Sequence, residues 1–326
     1  MTGYSARQHQ LLSTVLAALR APHVSPERFA RVRTQLLRAL KNDAHQDPSG
    51  RIMSDLNRLL LAPNWSPDEV AAAVEDLKPE DLVAFVPSFL EQGVTVALAH
   101  GNYLQGEAFE LAETVMHDLL EHRQVSQVRS SRVLKLDNGT VARLTTDADH
   151  LDSAVVGYFQ GESRQLKERA AYLLLGQLLE SPFYQALRTQ QKMGYVVFAG
   201  FMPLRRVPGL VFLVQSPDRT PDEIEAAIED FLRGFSRTLA TIPGDVFEQH
   251  RQSILMRINT PDQRLGERSA RYWHEIDREA YAFDSRESLS QAIEAQTLAS
   301  LRVLFTDKIQ SDQRRMVVCL LYTSPS

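Results

Sequence analysis

The spacing of apolar residues changes along this chain, and that change limits what the chain can fold into. Up to about residue 123 they recur three and four residues apart, as in amphipathic helices, with helix starts predicted at Ser25 and Ser66. Only residues 94–99 alternate in the manner of a strand. Because three or more strands are normally needed for a stable sheet, we expect this part to belong to a domain whose other strands lie upstream of Met1.

Beyond residue 132 the pattern predicts a mixture of strands and helices. The run Asp137-Asn138-Gly139 is a typical hairpin turn and predicts that strands at 133–136 and 140–145 pair with each other. Further strands are predicted at 154–160, 195–199 and 210–215 and from residue 315. Helices are predicted at 163–189, 221–239, 243–258, 262–280 and 288–306. This order predicts an α+β fold, with a mainly antiparallel sheet covered by helices on one face.

A polar stretch without periodicity, residues 125–132, separates the two patterns. We place the domain boundary there, which predicts a first domain at 1–125 and a second at 126–318. Residues 319–326, from Cys319 to Ser326, resemble a translated sequencing adapter. We interpret them as a non-native tail, and on this interpretation the second domain is also cut short.

Charge and composition exclude several classes of function. Lys and Arg total 36 against 41 for Asp and Glu, so the net charge of -5 offers no general attraction to a phosphate backbone, and nucleic acid is not an expected partner. No apolar run approaches the roughly 20 residues of a membrane helix, so no membrane partner is expected. The first twenty residues lack the order of a signal peptide, and the single cysteine permits no internal disulfide.

The nine histidines raise the possibility of a zinc site. His117 and His122 flank Glu121 on a predicted helix, but five residues at about 100° each place the two rings about 140° apart around the helix axis. Such a pair cannot easily bind one tetrahedral ion. We predict no catalytic metal site in this chain, and motifs for a serine nucleophile or a phosphate loop are also missing.

The segment 181–198 is the strongest candidate for a functional site. Tyr184 and Arg188 lie four residues apart and so share a helical face, and Gly194 allows a sharp turn that presents Tyr195 at the mouth of a strand. A phenol can stabilise an oxyanion, and a guanidinium can hold a peptide carbonyl or a carboxylate. A purely structural interpretation stays open, in which Arg188 caps the helix and Tyr195 is a half-buried strand residue.

The same segment resembles a known family. The run Tyr184-x-x-x-Arg188-Thr189-x-x-x-Met193-Gly194-Tyr195-x-Val197 is similar to the signature of the fourth domain of the insulin-degrading enzyme and pitrilysin family of inverzincin metallopeptidases. The similarity extends over further segments, in the family's order: Gly3-Tyr4-Ser5, His100-Gly101-Asn102, Gly209-Leu210 through Gln215-Ser216, Tyr272-Trp273-x-Glu275-Ile276 and Phe283-Asp284.

This resemblance implies a fold and a function. Members have four related α+β domains in two halves that close around a peptide, and the N-terminal half carries the zinc site. The chain would be the C-terminal half: part of the third domain and most of the fourth. Tyr195 would stabilise the oxyanion, Arg188 would hold the peptide backbone, and Tyr184 would line the pocket just beyond the cleaved bond.

The resemblance also implies partners and a location. Zinc would be bound outside this chain, the partners would be the N-terminal half and peptide substrates, and the chain alone would be inactive. The periplasm is favoured over the cytoplasm. Two alternatives stay open: a non-catalytic scaffold or processing-complex subunit of the same fold, against which the retention of Arg188 and Tyr195 argues, and a stand-alone peptide-binding module.

Overall fold

The computed structural model describes residues 7–43, 47–92, 94–120, 131–148, 150–311 and 313–322. Its α-helices are α1 (Gln8–Arg20), α2 (Pro26–Asp43), α3 (Pro48–Leu60), α4 (Pro67–Glu75), α5 (Pro79–Gln92), α6 (Gln105–Leu120), α7 (Leu166–Phe183), α8 (Pro221–Thr241), α9 (Gly244–Asn259), α10 (Leu265–Asp277), α11 (Ser285–Glu294) and α12 (Leu298–Leu304). Its strands are β1 (Leu61–Ala62), β2 (Arg132–Val133), β3 (Thr140–Ala148), β4 (Ser153–Gln160), β5 (Val196–Phe201), β6 (Gly209–Ser216) and β7 (Arg314–Tyr322). Two segments, Tyr184–Gln190 and Phe305–Ser311, are π-helical turns.

The chain divides into two compact units that are each discontinuous in sequence. Unit 1 is drawn from Met1–Ala44, Trp65–Ser130 and Gln263–Trp273, and unit 2 from His45–Asn64, Ser131–Asp262 and His274–Ser326. The predicted boundary after residue 125 was a single cut, so helix α3 lay in the first predicted domain. In the structure α3 belongs to unit 2, because its apolar face packs on the sheet of that unit.

Unit 1 is helical over its described residues. Helix α2 packs on α4, and α1 packs on α6. The predicted start of α4 is confirmed: the Ser66 side chain accepts a hydrogen bond from the Glu69 amide at 3.1 Å, and the Glu69 carboxylate accepts one from the Ser66 amide at 2.6 Å. This reciprocal capping box satisfies two amides that the helix itself leaves without a partner.

The strand predicted at residues 94–99 is wrong, whereas the further strands expected upstream of Met1 lie outside this chain and stay a prediction. Residues 94–100 have no regular structure, and Val94 and Val96 are exposed. A strand needs a neighbour to accept and donate its backbone hydrogen bonds, and the described residues of unit 1 offer none. Alternation of side chains was therefore insufficient to form a strand here.

Unit 2 is organised around a five-stranded sheet with the order β3-β7-β4-β6-β5. Strands β3 and β7 are parallel, and the other neighbours are antiparallel. The strands predicted at 154–160, 195–199 and 210–215 are confirmed as β4, β5 and β6. Strand β7 begins where a final strand was predicted and continues through Cys319, which is buried between β3 and β4.

The predicted hairpin is wrong. The turn at Asn138-Gly139 forms, with Gly139 at φ 69°, but the Gly139 amide donates to the Gln313 carbonyl at 3.0 Å. Strand β3 then pairs in parallel with β7, while β2 pairs with β1. Pairing with β7 places β3 beside a buried central strand, which removes more apolar surface from water than a two-stranded hairpin would.

Both faces of the sheet carry an apolar core. Alternate residues of β4 point to opposite sides, as a pleated strand requires: Val155 and Phe159 join a large core with α7, α8, α9, α11 and α12, whereas Val156 and Tyr158 join a smaller one. The smaller core is closed by the apolar face of α3, whose fully buried side chains recur every fourth residue: Ile52, Leu56 and Leu60. Most helices of unit 2 thus cover one face of its sheet, as predicted, and α3 covers the other.

Two long predicted helices are interrupted. The helix predicted at 163–189 ends as α7 at Phe183 and widens into the π-helical turn Tyr184–Gln190. The helix predicted at 288–306 divides into α11 and α12, because the Thr297 side chain accepts a hydrogen bond from the Ser300 amide at 3.1 Å and so caps a new helix. These differences leave the class unchanged, and the α+β prediction is confirmed.

Candidate functional site

The π-helical turn carries two of the predicted site residues, Tyr184 and Arg188. Both side chains are exposed, while Leu187 between them is fully buried and anchors the turn in the larger core. Turns of this kind are rare and occur frequently at functional sites. Among the described residues none accepts a hydrogen bond from the Arg188 guanidinium, so the structure gives no support to the interpretation of Arg188 as a helix cap.

The chain leaves the turn by a tightly bonded reversal. The Gln191 amide donates to the Ala186 carbonyl at 3.0 Å, and the Met193 amide donates to the Leu187 carbonyl at 2.8 Å. Lys192 between them has φ 52°, the left-handed conformation that commonly ends a helix. The Met193 side chain is buried, so the direction of the chain into β5 is fixed.

Gly194 is required for close packing. A Cβ atom on Gly194 would lie 2.0 Å from the carbonyl oxygen and 2.8 Å from the carbonyl carbon of Gln215. The predicted role of Gly194 in a sharp turn is therefore corrected: the residue with a left-handed φ is Lys192, and Gly194 allows the chain to lie directly against β6. The next amide, that of Tyr195, donates to the Gln215 carbonyl at 3.1 Å, which places Tyr195 at the mouth of β5 as predicted.

The Tyr195 hydroxyl lies in a compact polar cluster that we call the tyrosine site, formed by Tyr195, Asp152 and Gln215. The hydroxyl donates to Asp152 Oδ2 at 2.5 Å. Gln215 Nε2 donates to the same carboxylate oxygen at 2.8 Å and also to the Tyr195 hydroxyl. The three residues come from the start of β4, the start of β5 and the end of β6, which are neighbouring strand ends of one sheet.

A second layer of hydrogen bonds supports the tyrosine site. The Ser49 amide, in the first turn of α3, donates to Gln215 Oε1 at 3.1 Å and so directs Gln215 Nε2 towards Asp152 and Tyr195. Asp47 caps the same helix by accepting from the Gly50 amide at 3.3 Å. The Asp152 amide donates to His150 Nδ1 at 3.0 Å. Helix α3 thus contributes to the site as well as to the smaller core.

The electrostatics of the tyrosine site keep the phenol neutral and the carboxyl ionised. The hydrogen bond to Asp152, together with burial and the negative charges of Asp152 and Asp47, raises the pKa of Tyr195 to about 12. Burial acts to raise the pKa of Asp152, but the hydrogen bonds from Tyr195 and Gln215 outweigh it, and the pKa is lowered overall. At neutral pH the phenol therefore keeps its proton.

The structure brings Tyr195 together with two residues that sequence reasoning did not assign to a site, Asp152 and Gln215. Arg188 and Tyr184 lie on the adjoining turn, which contacts β5, but neither is hydrogen-bonded to Tyr195. A signal for Gln215 was present in the sequence, because a polar side chain ends the otherwise apolar run of β6. Asp152 precedes β4 in an unremarkable polar segment, and its role follows only from the fold.

The described residues do not fit a metal ion. They contain no group of three or more His, Cys, Asp or Glu side chains that could hold one. His117 is exposed and lies 3.1 Å from Asp118, whereas Glu121 and His122 fall outside the described residues. The zinc ion implied by the resemblance therefore has no site in the part of the chain that the structure describes.

Comparisons with known proteins agree with this architecture. The family profile for the middle or third domain of peptidase M16 matches residues 1–73, and that for the C-terminal lobe domain 4 of PqqF-like PQQ synthase matches residues 174–273. Among curated relatives, insulin-degrading enzyme of Homo sapiens is 26% identical over 86% of this chain, and A-factor-processing enzyme of Saccharomyces cerevisiae is 25% identical over 97%. The crystal structure of pitrilysin superimposes on 99% of the chain with a TM-score of 0.87 at 21% identity, and it is covered over 35% of its own length.

The two matched domains together account for more than half of the chain, and the chain belongs to the insulinase-type peptidase family, peptidase M16. The matched domains are the third and fourth, as the resemblance implied. The chain spans only 28% and 31% of the length of the two curated relatives named above. No helix in the described part of the chain is both long and apolar enough to cross a bilayer.

Proposed function

We propose that this chain supplies the substrate-binding and oxyanion-stabilising groups of a zinc metalloendopeptidase. One observation carries the proposal: Arg188, free of hydrogen bonds to the described residues, and Tyr195, with a neutral hydroxyl, are both presented to solvent by the segment that resembles the family's signature. The named relatives include insulin-degrading enzyme, so the family is one of peptidases.

Each side chain has a distinct role in this proposal. Tyr195 donates a hydrogen bond to the oxygen of the scissile carbonyl as negative charge develops there. Such a bond stabilises the transition state most when the donor is already in place. Arg188 binds a backbone carbonyl or carboxylate of the peptide through its planar donor fork. Tyr184, 47% exposed, lines the pocket for a side chain next to the cleaved bond.

The metal belongs to another part of the enzyme in this proposal, since the described residues offer no ligand cluster. We accordingly propose that the partners of this chain are the zinc-binding half of the same enzyme and peptide substrates. Whether that enzyme acts in the periplasm stays a prediction from the resemblance.

The test is peptide cleavage by the complete enzyme that contains this chain. Tyr195→Phe is expected to lower kcat about 100- to 1000-fold, as the loss of one oxyanion donor does, and Arg188→Ala is expected to lower kcat/KM with a marked rise in KM. Tyr281→Phe and Arg237→Ala are matched controls, because both residues are exposed and lie outside the site. A complete enzyme with no zinc-dependent cleavage would overturn the proposal in favour of a non-catalytic scaffold.

A further inference from the structure

The tyrosine site interrupts an apolar sheet with buried polar groups. Asp152 is 8% exposed and Gln215 is 1% exposed, although a buried carboxylate is unfavourable unless it is hydrogen-bonded. Both side chains are directed at one atom, the Tyr195 hydroxyl oxygen, whose own residue is 51% exposed. The buried groups therefore hold an exposed one.

The hydrogen bonds determine where that hydroxyl lies. Its proton is donated to Asp152 at 2.5 Å, and its oxygen accepts from Gln215 Nε2. The Ser49 amide fixes the orientation of the Gln215 amide group, since it donates to Oε1 at 3.1 Å. A half-exposed tyrosine without such contacts would exchange between rotamers, whereas here its backbone amide and its hydroxyl are both tied to neighbouring strands.

We propose that Asp152 and Gln215 are positioning residues that hold the Tyr195 hydroxyl in place at the mouth of β5. The inference rests on the proposed function for its catalytic meaning, since it assigns to these residues the preorganisation of the oxyanion donor. A substrate oxygen that binds there competes with the Asp152 carboxylate for the phenolic proton. Asp152 and Gln215 act only through Tyr195 and do not contact the peptide.

The first test needs no activity. In the chain as it stands, the ultraviolet absorbance of tyrosinate is compared with that of Tyr195→Phe, so that the difference reports Tyr195 alone. With a pKa of about 12, about a tenth of Tyr195 is ionised at pH 11. In Asp152→Ala and Asp152→Asn the ionised fraction is expected to rise towards about nine-tenths, because the phenol approaches its ordinary pKa of about 10.

A matched control separates this effect from a change in net charge. Asp307 is another carboxylate of unit 2, but unlike Asp152 it is exposed and has no contact with Tyr195, so Asp307→Ala should leave the ionised fraction unchanged. Far-ultraviolet circular dichroism at pH 11 verifies that each variant is folded. An unchanged Tyr195 ionisation in folded Asp152→Asn would overturn the proposal. Gln215→Met supplies an independent variant with the opposite sign: Gln215 Nε2 donates to the phenol oxygen and so favours the ionised phenol, and its loss is expected to lower the ionised fraction.

The second test is a double-mutant cycle in the complete enzyme. Asp152→Ala is expected to lower kcat about 10- to 100-fold with Tyr195 present, since small misplacements of a catalytic group have costs of this size. It should have no further effect in Tyr195→Phe. Equal effects in both backgrounds would refute the positioning role. If the complete enzyme is inactive, the proposed function fails, while the ionisation experiment still decides whether Asp152 holds Tyr195.

Discussion

Replacement of Gly194 by alanine tests the close packing that places Tyr195. The added Cβ would lie 2.0 Å from the Gln215 carbonyl oxygen, whereas side-chain carbons essentially never approach closer than 3.0 Å. The neighbour is backbone of β6, which pairs with β4 on one side and β5 on the other, so it cannot rotate away. The chain at Gly194 and strand β6 must therefore separate by about 1 Å. This lengthens the 3.1 Å hydrogen bond from the Tyr195 amide to the Gln215 carbonyl beyond hydrogen-bonding distance.

The expected loss of stability has two parts, the broken hydrogen bond and the strain of the added carbon. A backbone hydrogen bond contributes about 1 kcal/mol, and forcing an extra carbon into a packed site costs about 1–3 kcal/mol. Gly194→Ala should therefore lower the free energy of unfolding of unit 2 by about 2–4 kcal/mol. Urea denaturation followed by far-ultraviolet circular dichroism measures this change, with the slope of the transition compared between variants.

Gly234→Ala is the matched control for this substitution. Gly234 lies inside α8 of the same unit, and a Cβ added there would meet no atom within 4 Å. Because alanine favours a helix interior over glycine, this variant should be as stable as the original chain or more stable by about 0.5–1 kcal/mol. A Gly194→Ala variant within about 0.5 kcal/mol of the original chain would show that β5 does not depend on this contact.

Three further outcomes are expected. Because the pKa of Asp152 is lowered in the folded state, its charge stabilises that state above about pH 4, and this contribution disappears as the pH falls through the folded-state pKa. The urea midpoint of Asp152→Asn should therefore depend less on pH, between about pH 2 and 5, than that of the original chain. Arg315 is buried and pairs with Glu225 at 3.0 Å and Glu229 at 2.7 Å, so Arg315→Ala should cost about 3–5 kcal/mol in the same assay, and a loss below 1 kcal/mol would contradict a dependence on this network. The chain alone should not cleave a fluorogenic peptide at any zinc concentration, and zinc-dependent cleavage by the purified chain would refute the assignment of the metal to other residues.

Local patterns predicted most of the helices and the strands of unit 2. Capping residues such as Ser66 and continuous apolar runs such as that of β6 act over a few neighbouring residues, so they can be recognised without a fold. The same patterns misled where the outcome depended on a distant partner. The turn predicted at Gly139 does form, but the two strands beside it do not pair with each other. Strand β3 pairs with β7 instead, and this buried neighbour cannot be recognised from the local sequence.

The candidate site shows the same division. Tyr184, Arg188 and Tyr195 are close in sequence, so helical spacing and a glycine before a strand were enough to select them. The π-helical form of the turn was not predicted, because the apolar spacing of the segment fits an α-helix as well.

By itself, the amino-acid sequence determined the α+β class, the family and the segment that presents an arginine and a tyrosine. Only the tertiary structure joined Tyr195 to Asp152, 43 residues away, and to Gln215, 20 residues away. The reason is that these side chains lie at the ends of three different strands. Hydrogen bonds between strand ends depend on strand order and register. Those are decided by which apolar surfaces pack together over the whole unit, and no single segment contains that information.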